Sequence, residues 1–341
     1  MDSLTQIVLG AACGEALLGK KIGNKALLFG AIGGTIPDLD VFTSRIFYSN
    51  EIDIMAAHRG FSHSIVFSIL GAYLFGWLVH KLYDKSSKRR WTTSRNDWIK
   101  LFFWSLFTHI ILDAFTPYGT QWFLPFSEYR VAFNNISVAD PLYTVPFLLC
   151  MIVLMFFNRT STRRQMWLKF ALGISSFYML LTIGNKFYID SVFKSSLKSD
   201  AIVYERFSAQ PTILNNILWY GIAETKSDYR VAFYSLLDKE PKFSNWQILP
   251  KNHEVLPKTV AEIKTLDWFS NGYYNLFELD SGRVRFNDLR YPLLNADDPS
   301  SSVFSLKLYK KKERWDILPF EPTPPKEDDL KLFINRIKGI K

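Results

Sequence analysis

Several polar side chains lie inside apolar stretches of this sequence, where lipid or a protein core would normally exclude them. In the apolar run 98–115, His109 and Asp113 are four residues apart. Both side chains would therefore point to one face of a helix. An imidazole and a carboxylate at that spacing can bind the same ion. A buried His–Asp hydrogen bond would use the same pair, so this spacing alone leaves both interpretations open.

Two further motifs bring the same residue types to the ends of neighbouring apolar blocks. Asp38 and Asp40 follow Pro37 at the end of one block, and His58 and His63 lie at the start of the next. Charged groups at such depth are costly in lipid and usually mark a site. The sequence therefore predicts a metal centre with six ligands, namely Asp38, Asp40, His58, His63, His109 and Asp113.

The predicted ligands are nitrogen and oxygen donors without sulfur. Such a set suits zinc first, with manganese or iron as alternatives, and it fits either one ion or two ions bridged by an aspartate. A bound cation lowers the pKa of its water, so hydrolysis is the simplest chemistry to expect. Arg59, beside His58, could hold a phosphate or carboxylate oxygen. Arg59 and Asp40 are accordingly the candidate catalytic residues.

The apolar blocks that carry these residues predict a membrane all-α domain with about six transmembrane helices. Crossing about 30 Å of hydrocarbon takes about 20 residues. Two of the six blocks are weaker because they are rich in glycine and alanine, which suits closely packed helices. The predicted spans are 4–19, 26–42, 61–80, 98–115, 142–157 and 167–183. Asp2 and Asp140 precede two of these helices and are interpreted as N-caps.

The basic residues predict the orientation of these spans. The chain has a net charge of +9, and residues 1–190 hold 18 of its 41 lysines and arginines. Of those 18, 14 lie in the loops 20–25, 81–100 and 158–169, which favours a cytoplasmic position for these loops. The six candidate ligands then lie toward the outer side. A basic composition of this kind reflects membrane topology, so we do not expect a nucleic-acid partner.

Residues 191–341 have a different pattern and predict a soluble, β-rich α+β domain. The stretches 230–236, 273–279 and 303–309 alternate between apolar and polar residues, as strands with one buried face do. Asp280, Ser281 and Gly282 are typical of a hairpin turn. The sequence thus predicts a transmembrane helical domain with the metal centre at 1–190 and an extracytoplasmic β-rich domain of unknown role at 191–341.

Over about residues 1–190 the chain resembles the YdjM-type family of bacterial inner-membrane, metal-dependent hydrolases. The resemblance rests on the opening MDSLTQ, on PDLD at 37–40, on HRGFSHS at 58–64, on the residues from His109 to Gly119, and on DPLY at 140–143. It implies hydrolysis of an ester or phosphoester at a divalent metal. Many members carry Thr-His in the first helix, where this chain has Thr5 and Gln6. One ligand that the resemblance would imply is therefore replaced.

Taken together, these features predict a metal-dependent hydrolase of the bacterial inner membrane. Its substrate would be an ester or phosphoester at the outer side of that membrane, and membrane lipid or another amphiphilic phosphoester is the expected partner. Two alternatives stay open. One is a metal-binding transporter, which would need polar residues through the whole bundle. The other is a non-catalytic membrane protein whose external domain binds a partner.

Overall fold

The protein forms two compact units, and each is described by itself. The computed structural model describes residues 1–83, 85, 89, 92–293, 298–319 and 327–340, so part of the basic loop 81–100 lies outside the described residues. The helical unit contains Met1–Ser44 and Ala57–Ile183. The β-rich unit contains Arg45–Ala56 and Gly184–Lys341.

The first part of the chain, up to the start of the first strand, forms eight α-helices among the described residues. They are α1 (Ser3–Ile22), α2 (Asn24–Thr35), α3 (Asp40–Phe47), α4 (Glu51–Ala57), α5 (Ile65–Tyr83), α6 (Arg95–Ala114), α7 (Pro141–Leu154) and α8 (Thr162–Ser199). Most of them belong to the helical unit. The end of α3, nearly all of α4 and the end of α8 belong to the β-rich unit. Short 3₁₀ turns at Pro37–Leu39 and Phe61–His63 precede α3 and α5.

Polar side chains fix where several of these helices begin. The Asp2 carboxylate accepts a hydrogen bond from the backbone N–H of Thr5 and caps α1. Asp140 accepts from the N–H groups of Leu142 and Tyr143 and caps α7. Each cap satisfies backbone donors that have no partner within the helix. The predicted N-cap roles of Asp2 and Asp140 are confirmed.

The expectation of six transmembrane helices is not supported. Among the described residues, only α5 and α8 are long and apolar enough to cross a membrane, and α2 with the segment Pro37–Phe47, bent by 45°, is a third candidate. Helix α7 has 14 residues, short of the roughly 20 needed. Every 18-residue stretch of α6 holds three charged residues. The chain therefore has a helical region with two or three candidate spans, followed by a β-rich region.

Glycines bring the backbones of α1 and α2 into direct contact. A Cβ atom on Gly10 would meet the carbonyl oxygen of Gly30, and a Cβ atom on Gly30 would meet that of Gly10. At one end of the same interface, a Cβ on Gly34 would meet the carbonyl oxygen of Gln6. Small residues four apart allow this approach, as in close-packed membrane helices. The interface holds the start of α1 against the end of α2.

The β-rich unit consists of two four-stranded antiparallel sheets, each with its strands in sequence order. The first contains β1 (Arg206–Pro211), β2 (Leu218–Glu224), β3 (Asp228–Ser235) and β4 (Ser244–Pro250), and the second contains β5 (Tyr274–Leu279), β6 (Arg283–Asp288), β7 (Ser305–Lys311) and β8 (Arg314–Ile317). Helices α9 (Ala261–Phe269) and α10 (Glu327–Ile337) complete the unit. The strands predicted near 230, 273 and 303 and the hairpin at 280–282 are confirmed.

A segment from the first part of the chain also belongs to the β-rich unit. Ile52 of α4 is fully buried in one core with Ile263, Tyr274 and Phe286. The Asn50 side chain donates to the carbonyl oxygen of Trp315 at 2.7 Å. The sequence analysis placed this segment with the transmembrane domain because nothing in its composition marks it as part of a distant sheet.

We predict opposite effects on stability for two matched glycine substitutions. Gly30→Ala places a methyl group against the Gly10 carbonyl and should destabilise the fold by about 1–3 kcal/mol, as overpacking does. Gly173→Ala in α8 meets no atom within 4 Å and should be neutral or stabilising by up to about 1 kcal/mol. Thermal unfolding of both full-length variants in detergent measures the difference. Equal shifts in the two variants would contradict the close packing of α1 on α2.

Candidate metal centre

Four of the predicted ligands converge in the helical unit. Each of Asp38, His63, His109 and Asp113 offers one ligand atom, and these atoms all lie within 4.8 Å of one another. We call them the four-donor cluster. Asp38 comes from the 3₁₀ turn after α2, His63 from the turn before α5, and the other two from α6. The i, i+4 spacing in α6 thus brings its two side chains to one point, as predicted.

Five of the six distances between the donor atoms are close to those around a small four-coordinate cation, and all six are within 4.8 Å. Nε2 of His63 and Nε2 of His109 are 3.3 Å apart. Each of these nitrogens lies 3.5 Å from Oδ1 of Asp38 and 3.4–3.5 Å from Oδ2 of Asp113. In a tetrahedron with metal–ligand bonds of about 2.0–2.1 Å, neighbouring ligand atoms are roughly 3.3–3.4 Å apart. The residues present therefore fit a zinc-sized divalent cation, whose identity the geometry leaves open.

Neighbouring groups orient both imidazoles toward the cluster. Nδ1 of His109 lies 2.7 Å from the carbonyl oxygen of Gly34, so Nδ1 carries the proton and donates it there. Nδ1 of His63 lies 3.0 Å from Oγ of Ser62 and 3.1 Å from Oδ2 of Asp40. Metal-binding histidines commonly donate their second ring N–H to a carbonyl or carboxylate. Both Nε2 lone pairs are thereby left for a cation.

The Asp113 carboxylate is held by cationic and polar donors on its other side. Its Oδ1 accepts from Nε2 of Gln6 at 2.9 Å and also contacts the Met1 amino group. Its Oδ2 lies 3.2 Å from Nε of Arg59, without hydrogen-bond geometry. Oδ2 is therefore a buried acceptor that faces both imidazole Nε2 atoms and accepts no hydrogen bond within the described part of the chain. A buried acceptor of this kind is expected to have a partner, and a cation would supply it.

Arg59 adopts a left-handed backbone conformation beside the cluster, with φ of 59°. Its backbone N–H donates to Oδ2 of Asp40 at 2.9 Å, and its Nη1 donates to the Thr116 hydroxyl at 3.0 Å. The guanidinium lies 4.7 Å from the centre of the Tyr118 ring. A non-glycine residue in this conformation stores strain and often lies at a functional site. The candidate catalytic residue is thus buried and fixed next to Asp113.

The remaining two predicted ligands, Asp40 and His58, form a pair beside the four-donor cluster. Nδ1 of His58 lies 2.7 Å from Oδ1 of Asp40, and the His58 and His63 ring centres are 6.0 Å apart. Asp40 also accepts from the Ser62 hydroxyl at 3.0 Å. The geometry thus places Asp40 between two histidines, where its oxygens are used by hydrogen bonds.

Exposure differs sharply among the four donors. The side chains of His63, His109 and Asp113 have no solvent exposure, whereas that of Asp38 is 19% exposed. His58, in the neighbouring pair, is 25% exposed. Among the four donors, Asp38 is therefore the one that solvent reaches.

Sequence analysis missed three residues that support the centre. Gln6 was treated as a replaced ligand, yet its amide binds both Asp113 and the carbonyl oxygen of His109. Tyr118 is not among the predicted site residues, yet it packs against Arg59 and His58. The Gly34 carbonyl has no side-chain signal at all. Only the register of α1 and α2 could have indicated it.

The comparisons with known proteins agree with this description. A family model described as YdjM inner membrane protein matches residues 1–188, more than half of the chain. The chain therefore belongs to the YdjM inner membrane protein family, as the resemblance predicted. It is similar to the uncharacterized protein YfhP of Bacillus subtilis (strain 168), with 28% identity over 151 residues. That match covers 41% of this chain and 42% of YfhP, less than half of the relative. No solved structure matches the chain.

We predict that metal binding requires His63 and His109 but does not require His58. His63→Ala and His109→Ala each remove a donor and should abolish binding of about one divalent ion per chain. His58→Ala leaves all four donors in place and should retain the ion, because His58 contacts Asp40 instead. Elemental analysis after purification and dialysis measures the stoichiometry, and circular dichroism checks that the helices persist. Loss of metal in His58→Ala alone would contradict the assignment of the four donors.

Proposed function

We propose that this protein is a membrane-bound, metal-dependent hydrolase of an ester or phosphoester, with a metal centre formed by Asp38, His63, His109 and Asp113. The observation that carries the proposal is that the two Nε2 atoms lie 3.3 Å apart and each lies 3.4–3.5 Å from one carboxylate oxygen of Asp38 and one of Asp113. A divalent cation bound there would polarise a substrate oxygen and lower the pKa of a water molecule. Zinc suits these donors best, and manganese or iron also accept them.

The side chains around the cluster suggest how a substrate would be held. Arg59 carries a fixed charge next to Asp113 and is placed to bind an anionic oxygen of a phosphoester or carboxylate. Its guanidinium packs on Tyr118, which limits its motion. The binding energy would therefore act on one substrate orientation.

His58 and Asp40 are placed for proton transfer in this proposal. The 2.7 Å contact with Asp40 uses Nδ1 of His58, so the other ring nitrogen, Nε2, remains for exchange with substrate or water. A carboxylate in this position holds the imidazole in one tautomer and one orientation. Asp40 acts here as a positioning residue and His58 as the general base or acid.

The proposed location of the four-donor cluster rests on the basic residues of the loops and on membership of an inner-membrane family. The basic loops favour a cytoplasmic position, which would place the four-donor cluster and the β-rich unit on the outer side of the inner membrane. A site near the membrane surface suits an amphiphilic substrate whose apolar part stays in lipid, so a phospholipid or another lipid-linked phosphoester is the proposed substrate class.

A structural metal site is the second candidate, because four protein ligands can complete a tetrahedral zinc site. Closed four-ligand sites are generally structural, whereas catalytic sites keep a position open. Hydrolysis would require the coordination number of the metal to rise from four to five or six, and manganese and iron favour these higher numbers. The partial exposure of Asp38 favours the hydrolase, because it leaves one side of the cluster accessible.

Hydrolysis assays with the metal-loaded protein distinguish these two functions. We expect the wild type to hydrolyse a phosphodiester or carboxylic ester presented in mixed micelles, with zinc, manganese or iron tested in turn. His58→Ala should keep the metal and lower kcat by about 10²–10⁴-fold, the usual contribution of a general acid or base. His253→Ala, a substitution in the β-rich unit, is the control and should leave kcat unchanged. Stoichiometric metal binding without turnover of any of these esters would favour the structural site.

A further inference from the structure

The helical unit has a basic pocket at the end opposite the four-donor cluster. The pocket has a volume of about 400 Å³ and is lined by residues that end α1, begin α2 and connect α7 to α8. Gln6 and Ile22 of α1 mark the two ends, and the 16 residue-to-residue steps from one to the other span about 24 Å at 1.5 Å per step. The pocket and the cluster are therefore separated by most of the thickness of a bilayer core.

The lining of this pocket is cationic. Lys25, Arg159 and Arg164 contribute side chains together with Asn24 and Asn158, and no acidic residue is among the described lining residues. The neighbouring Lys21 is neutralised, because its Nζ lies 2.6 Å from Asp97. The uncompensated charges at the pocket are thus those of Lys25 and Arg159.

Arg164 forms the fixed wall of the pocket. It is 1% exposed and makes two hydrogen bonds to Glu15, from Nε at 2.7 Å and from Nη2 at 2.6 Å. Its Nη1 donates to the Asn24 side chain at 2.7 Å and to the Phe157 carbonyl at 3.0 Å. A buried ion pair with these extra hydrogen bonds ties the start of α2 to the α7–α8 connection, which gives the pocket a defined shape.

Lys25 and Arg159 are the adaptable cations at the opening. Both are exposed. Nη1 of Arg159 donates to the Lys21 carbonyl at 2.6 Å, and Nζ of Lys25 lies 5.9 Å from the Tyr83 ring centre. Neither side chain has an ion pair with a carboxylate among the described residues. The start of α2 contributes Asn24 and Lys25 to the lining, and no side chain of the described residues caps it.

We infer that this pocket binds a phosphate group, carried by an anionic phospholipid headgroup or free in solution. Two flexible cations and an uncapped helix start supply the charges and N–H donors that phosphate oxygens accept. The same loops carry the basic excess that favours the cytoplasmic side, where the leaflet is anionic. The pocket would anchor the end of the bundle that lies away from the metal centre, and it does not depend on hydrolysis.

Thermal unfolding of the full-length protein in neutral detergent tests this inference. One series adds inorganic phosphate at constant ionic strength, and a second adds phosphatidylglycerol in mixed micelles, with phosphatidylcholine as background. A ligand that binds the folded state raises the unfolding temperature with its concentration. The double variant Lys25→Gln/Arg159→Gln should weaken binding by roughly tenfold or more. The control Lys20→Gln/Arg163→Gln removes the same charge from exposed residues outside the lining.

The results distinguish a lipid headgroup from free phosphate, and they show whether the pocket binds phosphate at all. Stabilisation by phosphatidylglycerol alone identifies a lipid headgroup, and stabilisation by both ligands identifies the phosphate group itself. Either result supports the pocket if the control double variant keeps wild-type affinity. Stabilisation by neither ligand would overturn the inference, as would an equal loss of affinity in both double variants.

Discussion

The arrangement of the helical unit depends on two imidazole Nε2 atoms that lie 3.3 Å apart and 3.4–3.5 Å from an oxygen of each of two carboxylates. These groups bring lone pairs and negative charge together where three of the four side chains have no contact with solvent. Such groups repel one another at low dielectric and are costly to bury unless a cation compensates them. Arg59 compensates one carboxylate from outside, and a divalent ion would compensate all four donors at once.

The packing of α1 against α2 positions the groups that orient His109 and Asp113. The glycine contacts between α1 and α2 hold Gly34 against Gln6, and both residues then contact α6. The Gly34 carbonyl orients His109, and the Gln6 amide binds Asp113. A shift of α2 along α1 by one turn would move the Gly34 carbonyl away from His109. The small residues that weakened these blocks as predicted spans are thus the ones that position the site.

The sequence predicted which polar residues lie together better than it predicted the spans. The spacing of His109 and Asp113 and the short PDLD and HRGFSHS motifs include all four residues that the structure brings together, because these motifs are local. Two or three candidate spans replace the expected six, since an apolar run does not distinguish a helix buried in protein from one that crosses lipid. Asp40 and His58 have the residue types of ligands, and only geometry shows that they contact each other. The membership of Arg45–Ala56 in the β-rich unit depends on contacts more than 200 residues away in the chain.

X-ray absorption spectroscopy at the edge of the bound metal tests the central claim most directly, because it counts ligands by type. We expect two imidazole nitrogens and at least two oxygens at about 2.0–2.2 Å, without sulfur. The number of imidazoles should stay at two in His58→Ala, whereas His109→Ala should retain no bound metal and give no signal at this edge. Three imidazoles in the wild type, or none, would contradict the four-donor cluster.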